Sequence, residues 1–344
     1  MRTHSNNSFK KSQGLSLVEL MVAVVVSSVL MLGISEIFTL NKQSYNVQDE
    51  NARMQESGRY AFNTLMTDIR RAGYFGGSAN TSEMTGSLGI TVPNRTCPGG
   101  NTNWGRMIER PFYGLDDGNT DTDGDSLAVD YTGCIPDDDY LRGDIIVTRY
   151  TRGTTVDATI LAANPNRIYV RNSMFSGRVF TGAQFASNVS DNSIDETPNE
   201  TRELAASAYY VGPSGRNCRF NDAANNPIPI PALQREVLSN TGTPTREEVA
   251  SGIEQIQFQY GIDSNGDFSV NRYYNANDLS NDDTITPNWT QVVTTRLWVL
   301  VRADCPTNGY TNTKTYAMGD ITYDPNPDDG FKRQLYSTTV LSRN

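Results

Sequence analysis

Lys10-Lys-Ser-Gln-Gly14 runs directly into Leu15-Ser-Leu-Val-Glu-Leu-Met-Val-Ala-Val-Val-Val-Ser-Ser-Val-Leu-Met-Leu-Gly-Ile-Ser-Glu-Ile-Phe-Thr-Leu40. The switch from polar and basic to apolar is abrupt, and it decides the reading of the whole chain. No charge occurs from Leu20 to Ser35. At about 1.5 Å per residue such a helix nearly crosses the roughly 30 Å hydrocarbon layer of a membrane. Lys10 and Lys11 on its N-terminal side place that end in the cytoplasm. A secretory signal peptide would show a small-residue cleavage site after the apolar run, and no A-x-A site follows. A plain anchor would leave Glu19 unexplained, because a carboxylate is costly in lipid. Glu36 needs less explanation: it lies near the outer boundary, within reach of water.

Beyond Leu40 the chain turns polar, yet a helical period persists. Val47, Met54, Ala61, Phe62, Leu65, Ile69 and Ala72 recur at three-, four- and seven-residue spacings. No proline occurs between Leu15 and Ala72. Gly73 follows the last periodic residue, and Arg70 and Arg71 suit the negative end of a helix. The spacing predicts one helix over 15–72, about 58 residues and roughly 87 Å long, with Gly58 as a weak point.

From residue 73 to 344 short alternating runs replace the helical period, separated by Gly, Asn, Asp and Pro clusters. The strand candidates are Ser126–Tyr131, Asp144–Tyr150, Arg167–Arg171, Ala208–Val211, Ile253–Gly261, Thr294–Arg302 and Gln334–Leu341. Ser187–Arg202 and Asn275–Asn288 read as long polar connections. Asn226-Pro-Ile-Pro-Ile-Pro231 reads as an extended, polyproline-like strut or loop. The expected fold class is α+β. A long N-terminal helix, transmembrane over 15–40 and amphipathic over 41–72, precedes a head built as an antiparallel β-sheet or sandwich.

Composition narrows the function. Apolar residues make up only 37% of the chain, which favours strands joined by polar loops over a helical bundle. The net charge of -10 repels phosphate, so no direct nucleic-acid site is expected. The one histidine, His4, lies before Gly14. If that leader is removed, the mature chain has no imidazole for a Ser-His-Asp or Cys-His site, and no enzyme is expected. Cys97, Cys134, Cys218 and Cys305 lack zinc-ribbon spacing and read as two disulfides of an exported chain. Three connectivities are open. Proximity along the chain favours Cys97–Cys134 and Cys218–Cys305, with buried free thiols as the alternative. Asp121, Asp123 and Asp125, and likewise Asp263, Asn265 and Asp267, alternate as calcium ligands do. Both loops lack the Gly and Glu that a full calcium loop needs at its sixth and twelfth positions. An Asp/Asn/Gly turn is therefore favoured, and no other cofactor is expected.

Lys-Lys-Ser-Gln-Gly followed by Leu-Ser-Leu-Val-Glu-Leu resembles the leader and first turn of type IV prepilins. The resemblance implies cleavage after Gly14 by a prepilin peptidase, methylation of the new N-terminus at Leu15, and an assembly role for Glu19. The family usually has Phe where this chain has Leu15. Residues 1–14 would then be the leader, 15–72 the pilin helix and 73–344 the head. Gln55–Gly77, Gly252–Asp263 and Phe331–Asn344 resemble PilW-type minor pilins. That resemblance implies a subunit held in the inner membrane, N-terminus cytoplasmic and head periplasmic, before it enters a pilus. It would help prime assembly and sit at or near the tip. Its partners would be other minor pilins, the major pilin, the inner-membrane assembly platform and a tip adhesin. Twitching motility, adhesion and DNA uptake are the associated roles. A J-type pseudopilin of a type II secretion system shares the same plan and stays open as an alternative; a membrane-anchored periplasmic enzyme is the further, less favoured one, since it would need a site without histidine.

Overall fold

The computed structural model describes residues 16–77, 81, 84–85, 108, 110–116, 135, 139–174, 176–187, 199–222, 224–238, 244–280, 282–325 and 329–342. Ser126–Tyr131 lies outside them, as does most of the Ser187–Arg202 connection. The chain divides into two units, residues 1–51 and 52–344.

Helix α1 runs Leu17–Arg71, 55 residues without interruption. Gly73 ends it in the left-handed region at φ 85°, where glycine alone pays no steric penalty. The Gly73 amide donates to the Arg149 carbonyl at 3.0 Å, so the helix end is tied to the head's backbone. Within the second unit α1 buries Met54, Gly58, Ala61, Leu65, Asp68 and Ile69, the single stripe that three- and four-residue spacing produces.

Gly58 proves to be a contact point. A Cβ there would meet Tyr336 Cε2 at 2.6 Å and Val301 Cγ2 at 2.8 Å. The loss of helix propensity, about 1 kcal/mol, is accepted because only glycine lets the sheet approach this closely.

The head is built from strands. In chain order they are β1 (Met84–Thr85), β2 (Phe112–Leu115), β3 (Arg142–Thr155), β4 (Ile168–Asn172), β5 (Gly177–Thr181), β6 (Glu200–Asn221), β7 (Pro227–Leu238), β8 (Pro244–Ser251), β9 (Ile253–Ile262), β10 (Arg272–Tyr274), β11 (Val292–Arg302), β12 (Tyr316–Met318), β13 (Ile321–Tyr323) and β14 (Arg333–Leu341). Short helices α2 (Ala158–Ala163) and α3 (Gly182–Ser187) flank β4 and β5. An eight-stranded sheet follows the order β1-β5-β4-β6-β3-β2, with β7 pairing both β6 and β8. A second sheet has the order β10-β9-β11-β14, and β12 and β13 form a hairpin. All pairs are antiparallel except β1 with β5.

One core joins the helix to both sheets. Ala61, Leu65 and Ile69 pack with Ile145, Val147, Tyr209 and Val211 of the large sheet and with Phe258, Leu297, Val299 and Val301 of the small one. The run Leu297–Val301 lacks polar alternation because both faces of β11 are covered. Leu297, Val299 and Val301 face the helix core. Leu300, with Trp298 packed beside it, faces a second cluster around Tyr316 and Met318 of the β12–β13 hairpin. That is the pattern of a strand buried on both sides.

The proline-rich segment 226–231 is not a free strut; it is the start of β7. Pro227, Pro229 and Pro231 recur every second residue, so their missing N–H groups all fall on one edge of the strand. That edge faces away from β6. The Pro231 carbonyl instead accepts from the Gly252 amide at 2.7 Å. The Pro229 carbonyl accepts from Arg302 Nη2 at 2.9 Å. The β7–β8 register begins only at Ala232. Proline therefore occupies the stretch of strand where no ladder donor is needed on that edge.

Candidate functional site

The candidate site is the apolar first half of α1. By length and composition it can cross a membrane. Val18, Leu20, Val25, Leu30, Met31 and Phe38 are all exposed, and none of the residues of the most apolar window is buried within the chain. An apolar surface of this extent needs lipid or other chains around it. Three of its hydroxyls bond back to the helix. Ser27 donates to the Ala23 carbonyl at 2.7 Å, Ser28 to Val24 at 2.8 Å and Thr39 to Ser35 at 2.9 Å. Back-bonding of this kind lets Ser and Thr enter an environment without water.

Glu19 stands in the first turn. Its Oε2 accepts the Ser16 amide at 3.0 Å, which caps an otherwise orphaned donor at the helix start. The carboxylate also sits at the positive end of the helix dipole. It remains exposed, with its other oxygen available to a cation outside the chain. Gly14 and Leu15 lie outside the described residues, as do Asp121, Asp123, Asp125, Cys97 and Cys134.

Cys218 and Cys305 form a disulfide with Cα atoms 5.2 Å apart, linking β6 to the loop after β11. The 263–267 loop is an Asx-type turn. Asp263 Oδ1 accepts from the Asn265 and Gly266 amides at 3.1 and 2.7 Å, and Oδ2 from the Phe268 amide at 2.7 Å. Asn265 Nδ2 donates to Asp267 at 3.0 Å. Among the described residues no group of three or more His, Cys, Asp or Glu side chains is placed to hold a metal.

Three buried polar clusters hold the head together, and sequence reading missed them. Asp68 of α1 accepts from Tyr150 at 2.9 Å and from Tyr209 at 2.6 Å, which pins the helix to β3 and β6. Burial, with the Asp68 carboxylate beside them, pushes both phenols up. One signal was present: an aspartate three residues after Leu65 falls on the apolar stripe. Glu254 of β9 is held bidentate by Arg333 of β14, at 2.5 and 3.0 Å, and Arg333 also grips Asp329. Arg142 and Arg302 approach the same Glu254 carboxylate at 3.9 Å.

Glu236 of β7 accepts from the Tyr210 hydroxyl at 3.1 Å, near the Arg246–Asp139 ion pair. Burial pushes its carboxyl up to about 7 from an ordinary value of 4.5. Between those values the folded state binds more protons than the unfolded chain. This contribution to stability is present below about pH 4.5 and is lost as pH rises through 7. Glu236→Gln keeps the shape of the neutral acid. It is expected to raise stability by about 1–2 kcal/mol at pH 8, after allowing for partial solvation, and to change little at pH 4.5. Urea melts of the full chain at both pH values check this. A loss of stability at pH 8 would contradict it.

Two family signatures match the chain. The prokaryotic N-terminal methylation motif matches residues 9–35, and the family described as Type IV Pilus-assembly protein W matches residues 208–344. A type IV-like pilin from Thermus thermophilus is similar in structure, at 13% identity and a TM-score of 0.27, covering 58% of this chain and 78% of that one. No curated protein matches.

Proposed function

We infer that this chain, a type IV pilin of the PilW type and a structural rather than catalytic protein, acts as a minor subunit that helps prime pilus assembly and stays at or near the tip. The apolar half of α1 carries the reading: it can cross a membrane, it is wholly exposed, and its one early charge sits at the helix start. The methylation motif implies processing by a prepilin peptidase and assembly with other pilins. Before assembly the helix spans the inner membrane with the head in the periplasm. It then moves sideways into the filament core, exchanging lipid contacts for helix contacts. There Glu19 pairs with the free amine of a neighbouring subunit and sets the axial register.

A priming subunit is needed in few copies but at every initiation. Deleting its gene is therefore expected to cut filament number at least tenfold while leaving the major pilin processed in the membrane. Immunogold against the head should label filament ends. Normal filament numbers in the deletion strain, or label spread along the shafts, would overturn the priming and tip reading.

A further inference from the structure

We propose that the outer edge of β14 docks an extended, charge-free strand from the head of a different pilin, so that the small sheet continues into a neighbouring subunit; this rests on the minor-pilin reading above. β14 ends the order β10-β9-β11-β14, with β11 on one side of it. The ladder fixes which backbone groups look outward. The Ala303 amide donates to the Lys332 carbonyl and the Ser342 amide to the Val293 carbonyl, each at 2.9 Å. Even-numbered residues of β14 therefore turn their backbone groups to β11, and Leu335, Ser337, Thr339 and Leu341 turn theirs away. Among the described residues, no further backbone group meets these four. Ser337, Thr339 and Leu341 are exposed.

Among the described residues, the other edges of the two large sheets are blunted. β8 carries Pro244, Arg246, Glu247 and Glu248, and a register shift interrupts its ladder. β1, β2 and β10 are two, four and three residues long. Charge, proline, bulges and shortness are the usual means of keeping a bare row of N–H and C=O groups from pairing with other strands. β14 has none of them. It keeps nine consecutive pairs with β11 without a shift. No charge or proline occurs from Gln334 to Ser342, a stretch rich in strand-forming Thr, Tyr, Val and Leu. A long, regular, undefended edge is what strand addition uses.

The backbone row sets the chemistry of the occupant. Lipid tails carry no groups that answer it, and a helix has paired its own. An extended segment supplies both donors and acceptors at the right spacing. A second copy of this chain fits poorly. A symmetric pair would join β14 to β14 antiparallel, about a two-fold axis normal to the sheet. α1 lies along the face of that sheet, with Gly58 against Val301 and Tyr336 and with Phe62 beside Tyr336. The axis would turn the two helices in opposite directions, whereas both must enter one membrane with the same polarity. The charge of -10 also repels a second copy. The partner is therefore another subunit, brought alongside as helices gather in the filament. Its strand is charge-free where it faces β14, because a charge would be desolvated there against Leu335, Tyr336 and Leu341 without a counterion.

The test places the photocrosslinker p-benzoylphenylalanine at Ser337 or at Leu341 of the full chain in living cells, and adducts from irradiated membranes are mapped by mass spectrometry. The expected result is attachment from both positions to one segment of another pilin's head, at points about four residues apart, as paired strands require. Attachment to lipid, to a second copy, to scattered segments or to nothing would overturn the proposal. The mature N-terminus read from the same membranes reports the pilin reading separately. Two variants then separate docking from folding. Thr339→Pro removes an outward N–H and leaves the β11 ladder whole, and Ser337→Lys charges the edge without touching the backbone. Both should keep the thermal midpoint of the full chain while lowering co-purification with the crosslinked pilin at least tenfold. Thr339→Ser, which keeps the N–H, should co-purify as the parent does. Unchanged co-purification in Ser337→Lys, or in Thr339→Pro with its midpoint kept, would overturn the docking role.

Discussion

Glu19→Ala is expected to remove the subunit from filaments while leaving it in the membrane. Losing a charge makes the apolar segment easier to insert, so membrane content should hold or rise. In the filament, the amine of a neighbouring subunit would be left inside an apolar bundle without its carboxylate. A cost of about 3 kcal/mol per subunit corresponds to a roughly hundredfold loss in incorporation. Glu19 also caps the Ser16 amide, so alanine loosens the first turn as well. Glu19→Gln separates the two effects, because the amide oxygen can still accept from Ser16 while the charge is gone. It should show a milder loss than alanine but remain clearly defective. Incorporation is measured in sheared filaments, normalised to membrane content. Normal incorporation of Glu19→Gln would refute the charge pairing and leave the cap as the role of Glu19.

The second large effect lies in the head. Glu254→Ala should destabilise it by about 3–5 kcal/mol, because Arg333, whose side chain is 1% exposed, would lose one of its two carboxylates. Burial alone would lower the basicity of Arg333, and the pair Glu254 and Asp329 holds it up. Burial would likewise raise Asp329, yet its hydrogen bonds from Arg333 hold that carboxyl below the usual range. Replacing both members, Glu254→Leu with Arg333→Met, should recover only part of the loss: the buried Arg333 charge is gone, but Asp329 and Arg302 lose their partners. Chemical denaturation of the full chain in detergent measures both. A loss below 1 kcal/mol for Glu254→Ala would show that water or Asp329 fully compensates Arg333.

These predictions also mark what the sequence makes visible. The helix was legible almost to the residue, 15–72 expected against Leu17–Arg71 observed, because its period is local and its stop is a glycine. Strands with strict alternation, such as Ile256, Phe258 and Tyr260 between glutamines, were legible for the same reason. β7 was not, since its three prolines look like a polyproline segment until β6 is known to lie only on their far side. The reach of β6, which starts at Glu200 inside the expected Ser187–Arg202 connection, was hidden for a related reason: its pairing partners, not its own pattern, extend it. Gly58 read as a weakness because the sheet it admits is contributed by residues 301 and 336.

The candidate site divides in the same way. Glu19 announces itself as a charge in an apolar run, a property of its neighbours in sequence. Glu254 and Arg333, 79 residues apart, look like ordinary surface charges on alternating strands until the fold buries them together.

The proposed function turns on the processing of the N-terminal segment, because a free amine at residue 15 is the partner proposed for Glu19. The direct measurement is the intact mass and N-terminal sequence of the subunit recovered from membranes and from sheared filaments. The predicted result is a chain beginning at Leu15 with a methylated amine in both fractions. A chain that retains residues 1–14 in filaments, or one that begins beyond Leu40, would contradict it.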